Sequence, residues 1–150
     1  YDRKRRRLYL FAEISGLNLF NRQFWEKAQK YNDVITIADS AEPKSIDELR
    51  SYGMRIKGAK KGPGSIEFGI KFLQGLEQII IDPERCPLAA REFINYSLEM
   101  DRSGNVRSQF PDKDNHSIDC CRYGLCDDMV GTNTKGVEIL RGARIYGSLV

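Results

Sequence analysis

Two places in the sequence put acidic or imidazole side chains where chemistry is commonly done. Asp39 directly follows the apolar, β-branched run 34–38, and the carboxyl ends of buried strands are where α/β sheets hold their functional groups. His116 and Asp119 are three residues apart, so they share a face on a helix that begins near Asn115. A carboxylate beside an imidazole can bind a hard cation or position a water molecule. These three side chains are therefore candidates for a functional site.

Each of these residues also has an ordinary structural explanation. Asp39 would cap a turn together with Ser40. Asp114 would be the N-cap of the later helix, and His116 and Asp119 would interact with its dipole. One histidine in the whole chain does not decide between the two explanations. Both interpretations stay open at this point.

A basic, glycine-rich loop is the third candidate feature. The loop 60–65 reads KKGPGS, follows Lys57 and precedes a predicted helix. Glycines let backbone N–H groups approach a phosphate, and a helix N-terminus favours an anion. The loop is not a Walker A motif, because no Gly-Lys-Ser/Thr follows the glycines. Lys57, Lys60 and Lys61 are candidate phosphate contacts, although the pattern alone is more typical of a solvated loop.

The elements that would position these residues alternate between strands and helices. Hydrophobic periodicity predicts strands at 7–14, 34–38, 54–59 and 79–81. It predicts helices at 19–31, 45–52, 66–74, 88–99 and 115–128, with a hairpin turn at 101–105. A capping box at 45–48 would open the second helix, and Gly53 would end it. This order predicts an α/β fold with helices on the faces of a sheet.

Composition limits the class of protein. A chain of 150 residues with 41% hydrophobic and 30% charged residues fits one folded domain and excludes wholesale disorder. No apolar run approaches the roughly 20 residues that span a bilayer, so no membrane partner is predicted. The net charge of +3 permits a nucleic-acid partner without requiring one. Four cysteines without CxxC spacing, and a single histidine, argue against structural zinc and favour free thiols.

Three segments, taken together, resemble the C-terminal nuclease domain of the large terminase subunit of tailed phages and prophages. They read ADSAEPKSI (38–46), KGPGS (61–65) and DKDNHSIDCCRY (112–123), and the resemblance covers about residues 7–129. Each segment alone is weak, and their co-occurrence in this order is specific. The resemblance implies an RNase H-like α/β fold, a mixed sheet with flanking helices, shared with retroviral integrases and Holliday-junction resolvases.

The resemblance also implies chemistry for the candidate residues. Such domains hold Mg²⁺ or Mn²⁺ with one Asp on the first strand, one after the fourth strand and one on a late helix. Asp39 matches the second carboxylate, Asp119 matches the third, and His116 matches the histidine before it. The loop around Lys60 and Lys61 lies where such domains approach DNA. The implied function is a metal-dependent endonuclease that cuts concatemeric double-stranded DNA during viral packaging.

Partners and location follow from the same resemblance. They are double-stranded DNA, a fused or upstream ATPase motor domain, the portal protein and the small terminase subunit. The implied location is the cytoplasm of the bacterial host, transiently at the procapsid portal. We expect residues 1–129 to form an N-terminally incomplete nuclease domain and residues 130–150 to form a C-terminal tail.

One departure from the family pattern keeps a rival hypothesis open. The Asp of the first strand has no counterpart here, and the sequence begins with the charged segment 1–6, which leads directly into a strand. A turn of this kind usually follows another strand, so we expect the N-terminal strand or strands of the sheet to lie outside these 150 residues. A basic N-terminal tail is the alternative explanation of the same segment. The rival hypothesis is a catalytically silent nucleic-acid-binding or docking module of the same fold. An Asp-bearing strand just before Tyr1 would favour the enzyme.

Overall fold

The structure, a computed structural model, describes residues 1–96 and 114–133. The strands are β1 (Arg7–Leu10), β2 (Thr36–Ala38), β3 (Ile56–Gly58) and β4 (Gln78–Ile81). The helices are α1 (Asn21–Ala28), which continues as a 3₁₀ turn (Gln29–Tyr31), α2 (Pro43–Ser51), α3 (Ser65–Gln74), α4 (Pro87–Asn95), α5 (His116–Gly124) and α6 (Cys126–Asn133). Strands and helices alternate through α4, as the periodicity predicts. The predicted hairpin at 101–110 and the end of the predicted helix 88–99 lie outside the described residues.

The strands pair in two small parallel sheets. β1 pairs with β4 from Arg7 opposite Gln78 onwards, and β2 pairs with β3 from Thr36 opposite Ile56 onwards. Within the described ranges, no strand hydrogen bonds join the two pairs. An open cleft of about 820 Å³ is lined in part by Leu8 of β1, by Val34, and by Cys121 and Leu125.

Two hydrophobic clusters hold the helices on these strands. The larger packs α3, α4 and α5 against β1 and includes the fully buried Ile70, Leu73 and Ile118. The smaller packs α1 and α2 against β3 and includes Ala28, Ile46, Leu49, Met54 and Ile56. Ile118 and Leu125 belong to the larger cluster. Tyr123 of α5 contacts Asp39 just after β2, and Arg122 contacts the carbonyl of Ser65 at the end of the basic loop.

Several predicted boundaries are wrong, each for a physical reason. α2 begins at Pro43 rather than at the capping box, because proline at the first helical position has a suitable fixed φ and needs no N–H partner. The predicted last helix is interrupted after Gly124, a residue of weak helix propensity. The predicted buried strand 34–38 is ordered as a strand only from Thr36, and Val34 and Ile35 are 60% and 51% exposed.

Two glycines adopt left-handed backbone conformations. Gly53 follows α2 with φ +94° and ends the helix, as expected. Gly64 has φ +71° directly before α3, a conformation that favours glycine, and so fixes the exit of the basic loop. In the part of the chain that the structure describes, no helix has the length and apolarity needed to cross a membrane.

Candidate functional site

Asp39 directly follows β2, and both oxygens of its carboxylate are engaged. Oδ1 accepts the backbone N–H of Ala41 at 2.7 Å and the ammonium of Lys61 at 2.5 Å. Oδ2 accepts the hydroxyl of Tyr123 at 3.2 Å. The hydrogen bond from Lys61, and then that from Ala41, hold the pKa of Asp39 below its ordinary value. The Ala41 contact is the turn cap that the ordinary explanation predicts. The other two contacts come from distant parts of the chain.

Lys61 and Tyr123 join three elements at this point. The Lys61 ammonium lies 4.6 Å from the centre of the Tyr123 ring, a cation–π distance. The hydrogen bond to Asp39 raises the pKa of Lys61, so the lysine stays charged at neutral pH. Sequence reasoning did not single out Tyr123. Its signal was available, because Tyr123 is four residues after Asp119 and therefore on the same face of α5.

Asp119 lies in the first turn of α5 and is the counter-ion of a buried arginine. Its Oδ1 accepts hydrogen bonds from Nε and Nη2 of Arg122, at 3.0 and 2.7 Å. Arg122 is only 5% exposed, and its Nη1 also donates to the carbonyl of Ser65 at 3.3 Å. A Cβ on Gly69 would lie 2.8 Å from the Cδ of Arg122, so this glycine makes room for the side chain. The helix-dipole explanation of Asp119 therefore omits its main contact.

His116 is exposed and is the first residue of α5, on the same face as Asp119 as predicted. The N-cap position is Asn115 rather than Asp114, so the predicted cap is wrong. Asp114 instead has φ +51° and turns the chain just before the helix. A further anchor was missed, because the buried Glu92 of α4 accepts the backbone N–H of Ser117 at 2.6 Å. This bond fixes the end of α5 that carries His116.

The other two candidate lysines share one acidic partner. The carboxylate of Asp127 lies 2.6 Å from the ammonium of Lys57 and 2.9 Å from that of Lys60. Hydrogen bonds from Lys57, then Lys60, lower the pKa of Asp127 to about 2. Arg3 pairs with the neighbouring Asp128 in the same way. The first turn of α6 thus neutralises part of the basic loop, which sequence reasoning did not predict.

The donor chemistry of Asp39 and Asp119 fits a hard cation. Mg²⁺ and Mn²⁺ prefer oxygen ligands, and Mg²⁺ is commonly held by one or two carboxylates, substrate phosphates and water. Asp39 directly follows β2, and Asp119 lies on α5, which packs against β2. In residues 1–96 and 114–133, no group of three or more His, Cys, Asp or Glu side chains is placed to hold a metal ion. Each aspartate is paired instead with a cation of the protein, Lys61 or Arg122.

The cysteines form no disulfide bonds in the structure. Cys86, Cys120, Cys121 and Cys126 are free thiols. Burial raises the pKa of Cys121 to about 12, which keeps it protonated and unreactive.

Comparison with known sequences gives a consistent picture. The family model of the terminase RNase H-like domain matches residues 2–127. The large terminase subunit of Bacillus phage SPP1 is 42% identical over 133 residues, which are 86% of this chain and 32% of that protein. The PBSX phage terminase large subunit of Bacillus subtilis (strain 168) is 27% identical over 128 residues, 84% of this chain and 29% of that protein. The chain thus spans about a third of the length of these relatives.

Comparison with solved structures agrees with the sequences. The crystal structure of the g2p (large terminase) nuclease domain from bacteriophage SPP1, solved with bound Mn, matches this chain with a TM-score of 0.80 and 41% identity. The match covers 85% of this chain and 75% of that one. The fold that carries Asp39, Asp119 and the basic loop is therefore the fold of that domain.

Proposed function

Because the chain belongs to the terminase RNase H-like domain family, we propose that it is a divalent-metal-dependent endodeoxyribonuclease that cuts concatemeric double-stranded DNA during viral packaging. One observation carries the proposal: Asp39 contacts both the α5 face that holds Asp119 and the basic loop. Tyr123 makes the first contact and Lys61 makes the second. The bound Mn of the similar SPP1 domain supports the choice of cation. The family resemblance and the RNase H-like fold predicted from the sequence are both confirmed.

The proposed mechanism gives each residue one task. A bound Mg²⁺ or Mn²⁺ would make a water nucleophilic and stabilise the leaving 3′ oxygen. Asp39 and Asp119 would hold that cation, because both are hard oxygen donors, one directly after β2 and the other on α5, which packs against β2. His116, exposed beside Asp119, orients a water or protonates the leaving group. Lys57, Lys60 and Lys61 bind backbone phosphates, which fits cutting without a strong sequence preference.

The wider assignments rest on the family alone. We propose an ATPase motor domain, the portal protein and the small terminase subunit as partners, and the host cytoplasm as the location. The division into a nuclease domain (1–129) and a C-terminal tail (130–150) stays a prediction, and α6 (Cys126–Asn133) runs across it.

A catalytically silent DNA-binding or docking module is the second candidate function. One observation favours it, namely that both candidate metal ligands in the described residues are already paired with protein cations. A silent module would bind duplex DNA through the same three lysines. The two functions differ in whether a divalent cation changes the DNA.

Plasmid cleavage distinguishes the two functions. We expect the full protein to nick and linearise supercoiled plasmid in Mn²⁺ or Mg²⁺, because hydrolysis requires the cation to activate water. EDTA should stop the reaction, and excess Mn²⁺ should restore it. Binding of the plasmid without cleavage in either metal would establish the silent module instead.

Asp127 gives a test of the proposed phosphate contacts. Asp127→Asn leaves Lys57 and Lys60 without their carboxylate partner, so both lysines become available to DNA. We expect duplex affinity to rise by about two- to thirtyfold, which corresponds to the loss of two exposed ion pairs. Fluorescence anisotropy over a series of salt concentrations would measure it.

A matched control removes the same charge elsewhere. Asp47 forms an exposed pair with Arg50 on α2 and has no lysine of the loop as its partner in that pair. Asp47→Asn should change DNA affinity little. Equal effects of the two substitutions would mean that only net charge matters and that the loop has no special role.

A further inference from the structure

The ammonium of Lys61 lies where Asp39 would receive a divalent cation. It contacts Oδ1, which also accepts the Ala41 N–H, while Oδ2 accepts the Tyr123 hydroxyl. The carboxylate therefore offers no unshared oxygen to a metal in this arrangement. A cation that binds Oδ1 would therefore compete with the Lys61 ammonium for the same oxygen.

Lys61 is the partner that can leave. The N–H of Ala41 belongs to the turn that directly follows Asp39, and Tyr123 is fixed on a helix packed against β2. The Lys61 side chain is 34% exposed and belongs to a loop that continues into Gly62, Pro63 and Gly64. A divalent cation on Oδ1 would repel the ammonium at contact distance. The lysine can move to solvent without disturbing a strand or a helix.

We propose that Lys61 is an exchangeable internal counter-ion of Asp39. It leaves the carboxylate when Asp39 binds a divalent cation and then becomes available to a DNA phosphate. This inference rests on the proposed function, because it takes Asp39 as a metal ligand and Lys61 as a DNA contact. Metal binding and DNA binding then strengthen each other, and by linkage the coupling has the same size in both directions.

Lys60 provides the matched comparison. It lies next to Lys61 in the loop and carries the same charge, but its partner is Asp127 rather than Asp39. In Mn²⁺, loss of either lysine should remove one phosphate contact and reduce the magnitude of the slope of log affinity against log salt by about 0.9. Only loss of Lys61 should alter the binding of metal.

Calorimetric titration of metal-free protein with Mn²⁺ tests the first half of the inference. We expect Lys61→Met to bind Mn²⁺ about two- to fivefold more tightly than the unaltered protein, because a competing exposed ion pair has been removed. Lys61→Arg retains a competing cation and should not tighten binding. Lys60→Met should leave Mn²⁺ affinity close to that of the unaltered protein. Thermal melting would check that each variant is folded.

Anisotropy with an uncleavable phosphorothioate duplex tests the second half. Mn²⁺ should strengthen duplex binding by the unaltered protein and by Lys60→Met. In Lys61→Met, most of this strengthening should be absent. The inference would be overturned if Lys61→Met bound Mn²⁺ no more tightly than the unaltered protein, or if Mn²⁺ strengthened its duplex binding as much as before. Neither result would contradict the proposed nuclease function. Failure of the unaltered protein to bind Mn²⁺ would overturn the proposed function and this inference together.

Discussion

Asp119→Asn should abolish DNA cleavage and also destabilise the protein. The loss of cleavage follows if Asp119 is a metal ligand, because an amide replaces a charged oxygen donor. The loss of stability follows from Arg122, whose buried guanidinium would lose its carboxylate. Removing one partner of a buried ion pair costs about 3–5 kcal/mol. We expect about 2–3 kcal/mol here, below that range, because the Asp119 side chain is 26% exposed. Helix-dipole reasoning alone predicts only about 0.3–1 kcal/mol.

A double variant separates the two effects. Asp119→Asn combined with Arg122→Met has no uncompensated buried charge, so chemical denaturation should show that much of the lost stability returns. Cleavage should remain absent, because the carboxylate is still missing. Recovery of cleavage together with stability would show that Asp119 only supports the fold.

Asp39→Asn should reduce cleavage by at least about a thousandfold while the protein remains folded. A metal ion contributes several kcal/mol to stabilising the transition state, and each 1.36 kcal/mol is a factor of about ten in rate. The asparagine carbonyl can still accept the Ala41 N–H, so the turn after β2 is preserved. The substitution removes the ion pair between Asp39 and Lys61, which is partly exposed and contributes about 0.2–1 kcal/mol to stability. Single-turnover cleavage and thermal melting would measure the two quantities.

Ser40→Ala is the control for Asp39→Asn. Ser40 is the next residue along the chain, is exposed, and was predicted to share the turn. We expect normal cleavage from this variant. Full activity of Asp39→Asn in Mn²⁺ would remove Asp39 from the proposed site, whatever its effect on stability.

The fold class could be predicted from the sequence, and so could the places of the candidate residues on strands, helices and loops, because both depend on local patterns. A β-branched run followed by Asp39 predicts the end of a strand, and the spacing of His116 and Asp119 predicts a shared helical face. The glycine-rich loop likewise marks the entry to α3. The RNase H-like fold came from the order of three short segments and is confirmed by the match to the SPP1 domain.

The contacts that shape the site could not be predicted in the same way. Tyr123 and Asp39 are 84 residues apart, Lys57 and Asp127 are 70 apart, and Arg122 and Ser65 are 57 apart. No periodicity relates such residues, because they meet only through the packing of α5 and α6 against β2 and the loop after β3. Exposure of Val34 and Ile35 was missed for a similar reason, since burial of a strand depends on which neighbours cover it.

Crystals of the full protein grown with Mn²⁺ test the central claim most directly, by the anomalous scattering of manganese. We predict an anomalous peak at bonding distance from both Asp39 and Asp119, with the Lys61 ammonium displaced from Asp39. The same peak should be lost or greatly reduced in Asp39→Asn crystals. No manganese peak at Asp39 at saturating Mn²⁺, or manganese bound only at sites that involve neither aspartate, would contradict the account.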